Sequence, residues 1–535
     1  MLRITELKLP LDHADEALRQ AIVQRLGISD QDLLNFSIFK RSYDARKKNT
    51  ELLFIYAVDV TLANEAVVLE RFADDHNLGP TPDMAYRFVG QAPSEVRSRP
   101  LVVGFGPCGI FAALVLAQMG FRPVVLERGK EVRQRTKDTW GLWRKAQLNP
   151  DSNVQFGEGG AGTFSDGKLY SQIRDPQHHG RKVLEEFVKA GAPEEILYVN
   201  KPHIGTFRLT GMVENMRQEI IALGGEIRFE SKVTDLLMED GQLQGVQLAS
   251  GEQLMSRHVV LALGHSARDT FRMLHARGVF MEAKPFSIGF RIEHPQSVID
   301  KARLGKYAGH PKLGAADYKL VYHASNGRSV YSFCMCPGGT VVAATSEPGR
   351  VVTNGMSQYS RNERNANSGL VVGISPEQDY PGGPLAGIEL QEKLESAAYL
   401  LGGSNYQAPG QLVGDFIAGR ATTALGSVEP SYKPGVTLVD LAPSLPAFAI
   451  EAIREALPAF DRQIKGYSMH DAVLTGIETR TSSPLRITRD DSFQSLNLKG
   501  LFPAGEGAGY AGGILSAGVD GIRVAEAVAK SLLGL

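Results

Sequence analysis

Hydrophobic and polar positions change their period along this chain. Residues 1–11 alternate as a strand, and residues 12–26 place Ala17, Ala21 and Ile22, then Leu18 and Arg25, at helical spacing. Two more alternating runs, 36–43 and 52–60, flank the polar loop Asp44, Ala45, Arg46, Lys47, Lys48 and Asn49, and a second helical pattern covers 64–75. This β-α-β-β-α order predicts a small ferredoxin-like α/β domain over 1–95. Turn and linker residues follow at 79–82 and 92–100. Such a unit closes its own core, so deleting 1–95 is expected to leave a folded remainder.

From residue 100 the pattern becomes apolar strand, Gly-rich turn and long helix. A strand at 100–104, a helix at 107–120 and a second strand at 123–127 predict a doubly wound, Rossmann-like α/β domain. Further helices are expected at 178–190, 211–223, 389–401 and 447–457. Between 283 and about 444 short alternating runs such as 319–323 and 329–335 dominate. The expected plan is a discontinuous nucleotide domain, 97–282 with 466–535, carrying an α+β substrate or cap insertion at 283–465. The uncharged stretch 101–121 is long enough to span a bilayer. Its β-like start and clustered glycines favour a strand–turn–helix unit instead, and the N-terminus lacks an apolar signal region.

The 58 basic and 59 acidic residues leave a net charge of −1, which argues against nucleic acid as a partner. Three cysteines cannot frame a disulfide scaffold, so the cytoplasm is the expected compartment. Glycine stands out at 57 of 535 residues, well above the usual share of about 7%. That excess directs attention to loops that approach a ligand.

Gly104-Phe105-Gly106-Pro107-Cys108-Gly109 matches G-x-G-x-x-G between a strand and a helix. Gly104 permits the tight turn, Gly106 lets backbone meet a pyrophosphate, and Gly109 packs helix on strand. Unpaired amides and the dipole of the helix N-terminus attract the phosphates. Glu127, followed by Arg128, ends the second strand where a carboxylate meets adenosine ribose hydroxyls. A second Gly-rich segment, 156–168, includes Gly159, Gly160, Gly162 and Thr163 and predicts a loop pressed against a flat ligand. Val233 lies in a strand of the 226–246 region, and another strand ends at Gly264. Near the C-terminus stand Gly505-Glu506, then Gly512-Gly513-Ile514 opening a final helix.

Together these segments resemble the FAD-binding elements of glutathione-reductase-type flavoproteins, and within that superfamily a bacterial FAD-dependent dehydrogenase family. The resemblance extends over most of the chain, including 334–339 (CMCPGG) and 478–484 (ETRTSSP). It implies non-covalent FAD, with Gly505 and Glu506 at the ribityl chain and Gly512, Gly513 and Ile514 at the flavin ring. A helix dipole there stabilises the negative charge of reduced flavin. No second G-x-G-x-x-G follows a strand after residue 130, and no C-x-x-x-x-C is present. A separate NAD(P)H domain and glutathione-type disulfide reduction are therefore not expected, while NAD(P)H remains open as a transient electron donor.

The expected activity is hydride transfer between flavin N5 and a small, carboxylated or amphipathic substrate. Candidate catalytic residues are Arg480, Glu478, His323 and Arg291. Arg480 suits bidentate binding of a carboxylate, with an ion pair to Glu478 as the structural alternative. Cys334 and Cys336 alternate onto one face of a strand and read as packed, inert thiols, since no neighbour in sequence would lower a thiol pKa. Cys108 reads as a packing residue, and no spacing predicts a metal. Two other classes stay open: an FAD-dependent RNA-modifying protein docking through residues 1–95, and a non-enzymatic flavin sensor or scaffold. A homo-oligomer or a protein electron partner is left open as well.

Overall fold

The computed structural model describes residues 1–43, 51–95 and 98–535. The basic loop with Arg46, Lys47 and Lys48 lies outside the described residues. Around it stands a ferredoxin-like plait. Strands Leu2–Pro10, Leu33–Tyr43, Leu53–Leu62 and Leu78–Pro80 form one antiparallel sheet in the order second, third, first, fourth. Every second residue of Leu53–Leu62 is buried, as the alternation requires. The fourth strand overlaps the turn expected at 79–82, because Leu-Gly-Pro is too short to show a period. It is fixed by pairing Leu2, Arg3 and Ile4 with Pro80, Gly79 and Leu78.

The segment after this strand is not a free linker. The Tyr86 hydroxyl donates to Glu526 at 3.0 Å, and the Ala92 amide donates to the Met119 carbonyl at 2.8 Å. Tyr86, Val89 and Ala92 pack on the core of the nucleotide domain. We therefore expect deletion of residues 1–80 to leave a folded protein. Deletion of 1–95 should lower its stability by a further ~2–4 kcal/mol, the scale for one aromatic and two aliphatic side chains partly returned to water. Denaturant melts of the two truncations, compared at equal flavin content, check this.

Five parallel strands form the centre of the nucleotide domain, in the order Leu501–Pro503, Val259–Leu261, Leu101–Val103, Val124–Leu126 and Glu226–Arg228. All five are short, and the four apart from Glu226–Arg228 are almost wholly buried, as expected for a parallel sheet covered on both faces. Val102, Val125 and Val260 turn toward the helices Pro107–Gln118, Thr206–Ala222 and Ile514–Leu533. Leu101, Val103, Val124 and Leu126 turn toward the small antiparallel sheet of Val233–Glu239, Gln242–Leu248 and Gln253–Met255. The uncharged 101–121 stretch thus becomes a sheet strand and a packed helix. Among the described residues no helix is long and apolar enough to cross a membrane.

The insertion is built on an eight-stranded sheet around Phe286–Pro295, Ser329–Ala343 and Asn365–Ile374. Strand Val473–Glu478 pairs with Phe286–Pro295 and with Ala408–Leu412, so it lies inside that sheet. The expected boundary at 465/466 therefore comes too early. The chain leaves the insertion only after Glu478, a return invisible in a local pattern. Helix Ala447–Gln463 also runs past the expected end at 457, through Pro458, because Ala459 is buried and Phe460 joins the core of the insertion.

Candidate functional site

The carboxyl ends of the parallel strands open onto one cavity of about 370 Å³. Gly104, Gly106, Pro107 and Cys108 of the first turn line it, with Glu127 and Arg128 of the second. Glu127 is held by three backbone donors: Phe105 N–H at 2.9 Å, Gly129 N–H at 2.8 Å and Gly157 N–H at 2.9 Å. One carboxylate therefore clamps three loops together at the cavity wall. Arg128 forms ion pairs with Asp151 and Asp269. Ser231, Lys232 and Val233 complete this end.

Glycine is required where these loops meet. A Cβ on Gly109 would lie 1.9 Å from the Gly104 carbonyl, and one on Gly104, at φ +100°, would lie 2.4 Å from the Ala262 carbonyl. Gly160, at φ +62°, would bring a Cβ within 2.9 Å of the Gly106 Cα. A Cβ on Gly162 would stand 3.0 Å from Ile514 and 3.6 Å from Pro107. A single glycine of the 156–168 loop thus touches the first residue of two long helices, whose unpaired N-terminal amides converge on the cavity. Gly160, Gly162, Gly264, Gly512, Gly513 and Ile514 line the cavity. Gly109, Gly159, Thr163 and Gly505 stand behind the lining. Gly159 abuts the Thr163 hydroxyl, and Gly505 abuts Cys108.

Glu506 reaches the cavity at the end opposite Glu127. Its carboxyl takes no hydrogen bond from the described residues, and burial raises its pKa to about 7 against the opposing charge of Lys284. An unpartnered acid beside a helix N-terminus suits a polyhydroxylated chain. Its proton affinity also has a sign in stability. Between about pH 4.5 and 7 the folded protein holds a proton that the unfolded chain has released, so stability falls as pH rises through that window and stays lower above it. We expect Glu506→Gln to stabilise the flavin-free protein by ~1–3 kcal/mol at pH 8 and to change little near pH 4. Thermal melts across this range, with flavin affinity measured alongside, test both halves of the assignment.

The four candidate catalytic residues separate. His323 lies on an exposed edge strand with its Nδ1 3.0 Å from the Ser329 hydroxyl, away from the cavity. Glu478 pairs with Arg291, not with Arg480: Arg291 Nε donates to Glu478 at 2.9 Å, and both residues are buried behind the lining. Arg291 also donates to Asn354 Oδ1 at 3.2 Å, and Asn354 does line the cavity. Arg480 lines the cavity, but its fork is engaged. It donates to Glu395 at 3.0 and 2.8 Å, to Ser266 at 3.0 Å, to Ser346 at 2.7 Å and to Glu347 at 3.4 Å. Arg268 shares the same Glu395 carboxylate at 2.7 and 3.0 Å. These long-range pairings cannot be read from spacing along the chain.

The cavity also contains residues that the sequence did not single out for it. Lys168, Tyr170, Phe333, Cys334, Asn354 and Thr481 line it, as does His265. Burial and the nearby Arg480 and Arg268 push the His265 pKa down to about 3, so its ring is neutral. An adjoining pocket of about 260 Å³ shares Tyr170, Gly512 and Gly513 with the main cavity. Cys108 is buried as expected, and burial pushes its thiol up. Cys334 departs from expectation. A bulge between Phe333 and Cys336 breaks the strand's alternation, and Cys334 adopts φ +42° and turns to the cavity. No cluster that would hold a metal ion occurs among the described residues.

Comparison with known proteins agrees with this cofactor cradle. Residues 285–481 match the family model described as FAD-dependent protein, C-terminal domain-like, and residues 1–61 match a domain of unknown function. An uncharacterized protein of Clostridium beijerinckii is 49% identical over 532 residues, 98% of each chain. The chain belongs to one family with this relative, and its residues 285–481 match the FAD-dependent domain. FAD is the cofactor. Among solved structures, L-proline dehydrogenase from P. horikoshii aligns at 14% identity over 81% of this chain and 94% of its own, with a TM-score of 0.34. Glycine oxidase from Geobacillus kaustophilus aligns at 12% identity over 82% and 95%, with a TM-score of 0.36.

Proposed function

We propose that the protein binds FAD non-covalently in the glutathione-reductase manner and oxidises or reduces a small organic substrate at the Glu506 end of the cavity. One observation carries this reading. A single cavity runs from Glu127 at the fingerprint turn to the N-terminus of the Ile514–Leu533 helix, where polar side chains gather. When bound, FAD supplies two-electron hydride chemistry. The chain supplies the setting. Amides at the two helix N-termini hold anionic groups, Glu127 and Glu506 take hydroxyls at opposite ends, and Ile514 bounds the ring site.

The substrate reaches this end beside Tyr170 and Gly512, through the adjoining pocket. Because the Arg480 fork is engaged, a substrate carboxylate would meet Lys168 instead. Lys168 gives one hydrogen bond to the Met335 carbonyl and stays charged, since Cys334, Cys336 and Asp166 favour its protonated form over burial. Three thiols suit a cytoplasmic location. Anaerobic mixing with NADH, NADPH and a panel of small carboxylic acids, amines and alcohols, followed by loss of flavin absorbance, tests the reading. We expect at least one small molecule to bleach the flavin; if every donor leaves it oxidised, the dehydrogenase reading fails.

A further inference from the structure

Of the three thiols, Cys334 alone is partly exposed, and it lines the cavity near Lys168 and Asn354. The two carbonyls that follow its side chain are both occupied by cations. Arg291 donates to the Cys334 carbonyl at 2.9 Å, and Lys168 donates to the Met335 carbonyl. These bonds anchor a guanidinium and an ammonium beside the sulfur. Cys336 lies behind, fully buried, with its Sγ donating to the Cys334 carbonyl at 3.3 Å. Reactive thiols occur in such partly exposed, electropositive settings, and structural thiols in apolar ones.

We propose that Cys334 is a nucleophilic thiolate at the substrate end of the cavity, with Lys168 as its counter-ion, placed to add to the β-carbon of a conjugated carbonyl compound. The term substrate end rests on the function proposed above. The neighbouring Cys336 thiol, together with Lys168 and Arg291, holds the Cys334 thiol well below the usual range despite burial and the charge of Asp166, while Cys336 is pushed up and keeps its proton. In the addition, the sulfur forms a bond to the β-carbon. The C=C pair moves toward the carbonyl, whose oxygen accepts a hydrogen bond from the Lys168 ammonium, and the α-carbon takes a proton from solvent. Nothing is oxidised or reduced. Lys168 has donors left for this because only one is committed to Met335.

The test is labelling of the purified, flavin-containing protein with N-ethylmaleimide at limiting amounts and with iodoacetamide across pH 5–10, read by peptide mass. We expect Cys334 to be labelled first, with a rate already on its plateau near pH 7, and Cys108 and Cys336 to react only after denaturation. Lys168→Met should slow labelling at pH 7 by about tenfold, a shift of about two pKa units for a thiol already ionised there, without lowering the rate at pH 10. Lys168→Arg should restore the wild-type profile. A wild-type rate that climbs steadily to about pH 8.5, as for a free thiol, would overturn the proposal. So would Cys334 that resists labelling in the native protein. The wild-type profile decides even if a lysine variant fails to fold. Flavin absorbance of the same samples tests the cofactor site separately, because labelling is read without turnover.

Discussion

Gly106→Val yields a folded protein that retains no FAD. A Cβ at Gly106 would lie 3.5 Å from the Gly160 Cα, an ordinary contact, so the protein itself tolerates the added atom. The two valine methyls then extend into the cavity lining at the turn that opens helix Pro107–Gln118. That is the position where backbone amides and a helix dipole must come close to a phosphate. Gly109→Val behaves differently. Its Cβ would lie 1.9 Å from the Gly104 carbonyl, so helix and strand must separate and the fold itself suffers. Circular dichroism and flavin absorbance read together distinguish the two: native structure without colour for Gly106→Val, loss of both for Gly109→Val. Wild-type flavin content in Gly106→Val would mean that the cofactor lies elsewhere.

Glu395→Ala is expected to destabilise the protein by ~3–5 kcal/mol, the scale for removing one partner from a buried ion cluster. Glu395 is fully buried on helix Ala386–Leu401 and accepts from both Arg268 and Arg480. The two guanidiniums hold its carboxyl far below the usual carboxylate range against burial. Its removal leaves two buried cations with only Glu347 as an acidic partner. The cluster also ties helix Arg268–Ala276 of the nucleotide domain to the insertion, so the loss should appear as a lower denaturant midpoint for the whole molecule. If Arg480 were instead a free carboxylate clamp, Glu395→Ala would mainly alter substrate affinity and leave stability near wild type.

What could be read in the sequence was whatever depends on neighbours along the chain. The fingerprint turn from Gly104 to Cys108, Glu127 and the Gly512-Gly513-Ile514 helix start all line the cavity. Their spacing is local, although the backbone that Gly104 meets is that of Ala262, far along the chain. The plait was legible up to its last strand, because Leu78–Pro80 is fixed only by pairing with residue 2 onward. The catalytic candidates fared worst. Glu478 and Arg480 are adjacent in a polar run, yet they belong to separate buried clusters, one with Arg291 and the other with Arg268 and Glu395. Cys334 was misread because period-two alternation assumes a regular strand. A bulge at 334 turns the side chain into the cavity and sets it beside Lys168, which is far away in sequence. A hint was present, since Pro337-Gly338-Gly339 directly after the two cysteines is poor strand sequence.

The most direct measurement is the visible spectrum of the purified protein, followed by acid precipitation and identification of the flavin in the supernatant. The account predicts a yellow protein that releases one FAD per chain. A protein that stays colourless after incubation with FAD would contradict the cavity assignment, and flavin that remains in the pellet would contradict non-covalent binding.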